Sequence, residues 1–201
     1  MLESLQLIDT KIFLAINGLH NSFFDWIMVF ASGKLSWLPL YVVLIYLIIK
    51  EYKWKSWVIL AFVALLIFFS DQLSVHAFKN VFQRLRPCHN EEIALQIRTI
   101  TGCGGLYGFV SSHAANTFAL AFFIIGILKS QKKWLPWVMI SYALLNIYSR
   151  VYLGVHYPGD VLAGAILGFL VARFVLYLFS IYKRKWPLIQ PENSFKDSTK
   201  R

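Results

Sequence analysis

The stretch S-R-V-Y-L-G-V-H-Y-P-G-D (Ser149–Asp160) runs directly into V-L-A-G-A-I-L-G-F-L-V-A-R-F-V-L-Y-L-F-S-I (Val161–Ile181). The second piece carries a single charge, Arg173, and with its flanks supplies the ~20 residues that cross a hydrocarbon core. Similar apolar runs recur at Leu35–Ile49, Trp57–Ser70, Ala114–Leu128 and Trp134–Ile147. Proline suits a helix start, because its missing N–H would be unpaired there anyway. A helix opening at Pro158 leaves His156 just outside the first turn and Asp160 within reach of its ring. A carboxylate so placed fixes the imidazole tautomer and leaves the other ring nitrogen free to act. The plainer reading is a solvated loop whose aspartate serves only the helix dipole.

Composition supports the membrane reading. The chain is 58% hydrophobic and 15% charged, against about 25% charged in soluble domains. In lipid every backbone polar group must be satisfied internally, so an all-α integral membrane bundle of five to six spans is expected. The expected organisation is an N-terminal amphipathic, interfacial helical segment (1–32), a transmembrane bundle (33–185) and a cytoplasmic tail (186–201). The first residues lack a basic region followed by an apolar core, so no cleavable signal peptide is expected.

The net charge of +10 is a matter of topology rather than of nucleic-acid binding. Lys50, Lys53 and Lys55, then Lys129, Lys132 and Lys133, then Lys183, Arg184 and Lys185 all follow or separate spans on one face. Lys196, Lys200 and Arg201 in the tail join them. By the positive-inside rule that face is cytoplasmic. The connections Lys79–Val110 and Ser149–Asp160 then share the opposite face.

Along the chain, Asp71 and His76 sit near the outer end of the second span, where headgroups or a neighbouring side chain account for them. Lys79 and Arg86 are seven residues apart, which on a continuous helix puts both on one face. Pro87 ends that helix. Arginine offers a planar fork for phosphate oxygens and lysine a point charge, although basic residues at span ends also snorkel to lipid. Cys88 and Cys103 flank one loop outside the cytoplasm, where a disulfide is favoured over two free thiols. A helix starting at Ser111 or Ser112 would aim free N–H groups outward as an anion site, or simply be capped by Ser111. His113 stands in its first turn. Arg173 lies about 20 Å along its helix from Asp160 at 1.5 Å per residue and is given no chemistry.

Gathered on one face are Lys79, Arg86, Ser111, Ser112, His113, Arg150, His156 and Asp160. Cations and a helix start would hold a phosphate, one histidine would attack phosphorus and the other would protonate the leaving oxygen. The outer carboxylates are too scattered for a magnesium cage, so neither metal nor cofactor is expected.

The blocks K-N-V-F-Q-R-L-R-P (Lys79–Pro87), V-S-S-H (Val110–His113) and S-R-V-Y-L-G-V-H-Y-P-G-D (Ser149–Asp160) resemble the tripartite signature of the phosphatidic acid phosphatase type 2 superfamily. The first and third match at every defined position. In the second, Val110 stands for proline and Ser112 for glycine. The resemblance covers about Trp57–Ile181 and fits small bacterial members. It implies His156 as nucleophile through a phosphohistidine, Asp160 orienting it, and His113 as general acid. Lys79, Arg86, Ser111, the Ser112 amide and Arg150 would bind phosphate. The expected partner is a membrane lipid phosphate or diphosphate, acted on at the periplasmic face of a bacterial inner membrane. Undecaprenyl diphosphate ranks first by family frequency, ahead of lipid A 1-phosphate, phosphatidylglycerol phosphate and phosphatidic acid. Two other classes stay open: an anion transporter and a catalytically silent scaffold. Oligomeric state is not legible.

Overall fold

A computed structural model of the chain describes residues 2–128 and 132–186. Lys129, the basic tail residues and most of the 186–201 segment expected to be cytoplasmic lie outside that range. Helices α1 (Leu2–Asn17) and α2 (Ser22–Ser32) come first, then α3 (Leu38–Tyr52) and α4 (Ser56–Gln72). The last of these continues as a π-helix over Leu73–Lys79 and a single turn, α5 (Asn80–Phe82). After a long loop come α6 (Ser112–Leu128), α7 (Leu135–Tyr152) and α8 (Pro158–Lys185). The architecture is all-α, and among the described residues the only β-type pairing is an isolated bridge between Leu85 and Tyr107.

The apolar segments Leu35–Phe82 and Pro158–Lys185 are long and apolar enough to cross a membrane, and Ser112–Leu128 is a shorter apolar helix. The first of these is split into α3 and α4 by the turn Lys53–Lys55, where Lys53 adopts a positive φ of 53°. On α8, Leu162, Ile166 and Leu170 stand 57–62% exposed at a spacing of four residues. A continuous apolar stripe of that kind is a lipid-facing surface.

Inward, α3, α4, α6, α7 and α8 share one core that includes Ile48, Ile59, Leu66, Phe123, Met139 and Val175. Alternate helices run in opposite directions. At one end Tyr52 of α3 donates its hydroxyl to the Ile127 carbonyl of α6 at 3.1 Å, and Phe62 of α4 meets Phe179 of α8 at 5.2 Å between ring centroids. The starts of α6 and α8 and the end of α7 lie together at the opposite end.

The tightest contact is between α6 and α8. A Cβ on Gly168 would fall 2.2 Å from the Ala115 carbonyl oxygen, and one on Gly164 would fall 2.5 Å from the Ser111 carbonyl oxygen. Ala114, Ala115 and Ala119 line the α6 side and are fully buried. Small residues four apart let helix backbones approach where lipid provides no hydrophobic drive.

The N-terminal segment, expected as one interfacial stretch, is two helices meeting at 117°. They are pinned to the bundle by polar contacts. Asn17 donates to the carbonyls of Arg98 (2.9 Å) and Tyr152 (2.8 Å) and accepts from the Arg98 N–H (2.9 Å). Asn21 caps α2 through the N–H groups of Phe23 and Phe24. Asp25 accepts from the Tyr152 hydroxyl at 2.9 Å and pairs with Arg98 at 2.8 Å.

Gly168→Val tests the helix crossing. Overpacking costs about 1–3 kcal/mol even in adaptable cores, and here the obstacle is backbone. The variant should melt well below wild type in detergent, followed by tryptophan fluorescence; an unchanged melting temperature would contradict the crossing.

Candidate active site

His156 lies in the short link between α7 and α8 and is 2% exposed. Its Nδ1 is 3.4 Å from Asp160 Oδ2, at the outer edge of a hydrogen bond. Asp160, fully buried in the first turn of α8, also accepts the Tyr157 N–H through Oδ2 (3.1 Å) and Arg84 Nη1 through Oδ1 (2.8 Å). With Nδ1 turned to the carboxylate, Nε2 is the nitrogen left for chemistry. Burial pulls the imidazole down to about 4; Asp160 opposes that, while Arg150 and Arg86 add to it. The ring is therefore neutral at pH 7 and keeps its lone pair.

The second block is tied to the third through the backbone. The Ser111 N–H donates to the Asp160 carbonyl at 3.0 Å, and the buried Ser111 Oγ accepts from the Ala114 N–H at 3.4 Å. Ser112 opens α6, and its hydroxyl accepts from Lys79 Nζ at 2.6 Å and lies 2.6 Å from Ser74 Oγ. His113 follows, half-buried and within electrostatic reach of His156, Arg150 and Lys79. The loop glycine Gly108 allows the approach: a Cβ there would sit 2.8 Å from Asp160 Oδ2 and 3.5 Å from His156 Nδ1.

The first block differs from its expected geometry. Lys79 and Arg86 do not share a helix face, because the helix stops at Phe82 and Gln83 turns left-handed (φ 47°, ψ 30°). Arg86 is in extended backbone and donates to the carbonyls of Cys103 (2.6 Å) and Tyr107 (3.3 Å). Cys88 and Cys103 are joined by a disulfide with Cα atoms 5.9 Å apart, which anchors the Cys103 carbonyl beside Arg86. Lys79 instead comes from the π-helical turn; such turns recur at functional sites.

The charges then separate into two groups. Arg84 is neutralised by Asp9 Oδ2 at 2.7 Å and Asp160 Oδ1 at 2.8 Å, and its guanidinium stacks 4.1 Å from the Tyr157 ring. Lys79, Arg86 and Arg150 have hydroxyl and carbonyl partners instead. Arg150 Nη1 donates to Ser32 Oγ, and its buried Nε has no partner within the protein. Three cations with neutral partners, one holding an orphaned donor, retain positive charge for an anion. Among the described residues no group of three or more His, Cys, Asp or Glu side chains is arranged to hold a metal ion.

A family model described as the PAP2 superfamily matches residues 56–184. The chain belongs to the PAP2 superfamily. It is 42% identical over 173 residues to a lipid A 4'-phosphatase of Bacteroides thetaiotaomicron, covering 84% of this chain and 75% of that protein. It is 29% identical over 177 residues to undecaprenyl-diphosphatase BcrC of Bacillus subtilis, with 82% of each covered. The crystal structure of a PAP2-type phosphatidylglycerolphosphate phosphatase from Bacillus subtilis superposes with a TM-score of 0.71 at 22% identity, covering 90% of this chain and 89% of that one. This PAP2 protein is a bacterial membrane enzyme that hydrolyses a lipid phosphate.

Sequence reasoning missed Asp9 and Arg84. Asp9 sits on α1, accepting the Gly159 N–H through Oδ1 at 2.7 Å and Arg84 through Oδ2. It thus caps α8 and holds Arg84 against Asp160. Asp9 is 151 residues from Asp160, and nothing local signals the meeting. Arg84 lies inside the first block, but at a position the PAP2 pattern leaves undefined. Ser32 was missed for a similar reason, since it lies 118 residues from Arg150.

Two outcomes follow from this geometry. Asp9→Asn should lower kcat about tenfold, the scale of one charge-assisted hydrogen bond, with little change in KM and partial recovery in Asp9→Glu. Equal kcat in Asp9→Asn would leave Asp9 as a helix cap only. Histidine NMR of the ligand-free protein should find His156 titrating near 4, so lowering the pH from 7 to 5 leaves it neutral. A midpoint near 6.5 would contradict its burial.

Proposed function

We propose that this enzyme removes the 4'-phosphate of a lipid A-type glycolipid, acting at the outer face of the bacterial inner membrane. The 42% identity to a lipid A 4'-phosphatase carries the reading. Undecaprenyl diphosphate, first on family frequency, rests on the weaker 29% similarity and becomes the second reading. The outward face follows from charge asymmetry: Lys132, Lys183, Arg184 and Lys185 lie at the end of the bundle away from His156.

In the proposed reaction Lys79, Arg86, Arg150 and the amides at the start of α6 hold the phosphoryl oxygens and stabilise their charge. His156 Nε2 attacks phosphorus, forming an N–P bond as the P–O bond to the sugar breaks. Asp160 holds the Nδ1 proton and stabilises the cation that develops. His113, taking up a proton once the bound phosphate's charge offsets Arg150 and Lys79, gives it to the departing oxygen. It then takes one from a water that attacks the phosphohistidine, releasing inorganic phosphate and free His156. Neither a metal nor a soluble cofactor has a part in this scheme.

Two other classes fit the geometry less well. An anion pathway would distribute cations through the membrane depth, whereas Lys79, Arg86 and Arg150 gather at one end. A silent scaffold gives no reason for a neutral, oriented His156.

Detergent-purified protein in EDTA, offered lipid A, undecaprenyl diphosphate, phosphatidylglycerol phosphate and phosphatidic acid, should release phosphate fastest from lipid A. His156→Ala should lose at least about 10³-fold, as removal of a covalent nucleophile does. Faster release from undecaprenyl diphosphate would reverse the ranking. Undiminished turnover in His156→Ala would overturn the mechanism.

A further inference from the structure

A cavity of about 400 Å³ opens beside His113, between the end of α2 and helices α3, α4, α6 and α7. That volume lies within the range of about 300–1,000 Å³ typical of small-molecule sites. Asp71, expected to reach headgroups, lines this cavity, as does Lys34. Ser112 and His113 line it as well, so the cavity continues inward from the catalytic residues, and the rest of its lining lies outside the PAP2 signature.

Two amides decide what it fits. Asn146, 3% exposed, donates through Nδ2 to the Ala31 carbonyl at 3.1 Å. That bond fixes the side chain's orientation, and its buried Oδ1 has no partner within the protein. Asn116 Oδ1 is likewise buried and unpartnered. Both residues line the cavity. Asn116 follows His113 by three residues and Asn146 precedes Arg150 by four, so each amide is about one helical turn, roughly 5 Å, below the catalytic layer. Buried acceptors left unpaired at this depth are costly and call for donors.

The candidate lipids differ at that depth. A prenyl diphosphate presents bare hydrocarbon below its phosphates. Phosphatidic acid presents ester oxygens, which only accept, and phosphatidylglycerol phosphate a single glycerol hydroxyl between its two phosphates. A phosphorylated amino sugar bearing an N-acyl chain presents an amide N–H and hydroxyls, which donate.

We propose that this cavity is the subsite for the acylamino-sugar portion of a phosphorylated glycolipid, with Asn116 and Asn146 accepting from its N–H and O–H groups. The proposal rests on the glycolipid reading above and adds which residues select it. A site built this way discriminates strongly against a substrate lacking the donors, because its own polar groups are then left unpaired.

The test uses full-length protein in detergent with lipid A as substrate and inorganic phosphate as product inhibitor. Asn116→Leu, which keeps the branched heavy-atom outline and removes the amide, should raise KM for lipid A about tenfold, one hydrogen bond's worth of affinity. The inhibition constant of inorganic phosphate, which reads the phosphate site alone, should stay within about twofold. Asn116→Ser is measured in the same way and stands in if the leucine variant does not fold. For wild type, N-octanoyl-glucosamine should compete with lipid A, and about tenfold less well for the variant. Wild type inactive on lipid A would sink the substrate reading itself. Wild type active on lipid A, with KM unmoved in both variants or with both constants shifted together, would overturn the subsite alone. Failure of N-octanoyl-glucosamine to compete would also overturn it.

Discussion

The close approach of α6 and α8 is the constraint on which the catalytic layer depends. Gly164 and Gly168 bring the α8 backbone against the Ser111 and Ala115 carbonyls. No side chain intervenes to let the helices slide. Their register is read out one turn higher, where the Ser111 N–H meets the Asp160 carbonyl. Two helix N-termini are thereby set side by side, and their unpaired N–H groups and dipoles reinforce one another toward an anion. His113 and Asp160 owe their proximity to this packing, since 47 residues separate them in sequence.

Around that frame, charge is divided with some economy. Burying a guanidinium is costly unless it is paired, and Arg84 is paired twice, with Asp9 and Asp160. Arg86 and Arg150 are held by carbonyl and hydroxyl oxygens that orient them without cancelling their charge. The same Asp160 pairs directly with Arg84 and orients His156, and it acts on Lys79 and Arg86 only through space. Burial of His156 completes the arrangement by keeping the imidazole unprotonated beside these cations.

How much of this was legible follows from the range of each interaction. His156 and Asp160 are four residues apart across a helix start, so Pro158 and the spacing alone placed them. The apolar helices were legible because lipid demands long apolar runs, but against the five to six spans expected, two helices, or three with the bent α1–α2 pair, are long and apolar enough to cross among the described residues. Lys79 and Arg86 failed as a helix-face pair because a π-helical turn and the left-handed Gln83 break the period between them. The α6–α8 contact was not legible at its tightest points, because Gly164 and Gly168 passed as part of an apolar run. Asp9 lay in an amphipathic pattern that looked sufficient to explain it. An ion pair across 75 residues has no periodicity to betray it.

The family match begins at residue 56, yet three contacts on the site come from before it. Asp9 braces Arg84 and the start of α8, Ser32 holds Arg150, and Lys34 lines the cavity beside His113. The residues proposed to make and break bonds to phosphorus lie within the shared region, whose geometry suits any phosphate monoester or anhydride. What lies beneath the phosphate differs from lipid to lipid, and part of that wall is built by Trp37 and Tyr41 of the preceding segment. Trp37 packs edge-on against Tyr142 at 4.5 Å, and the Tyr41 and Tyr142 hydroxyls meet at 3.0 Å, so the wall is rigid and carries its own polar groups. On the proposed subsite, choice of lipid would be shared between the first 55 residues and the facing sides of α6 and α7, within a turn of the residues proposed for the chemistry.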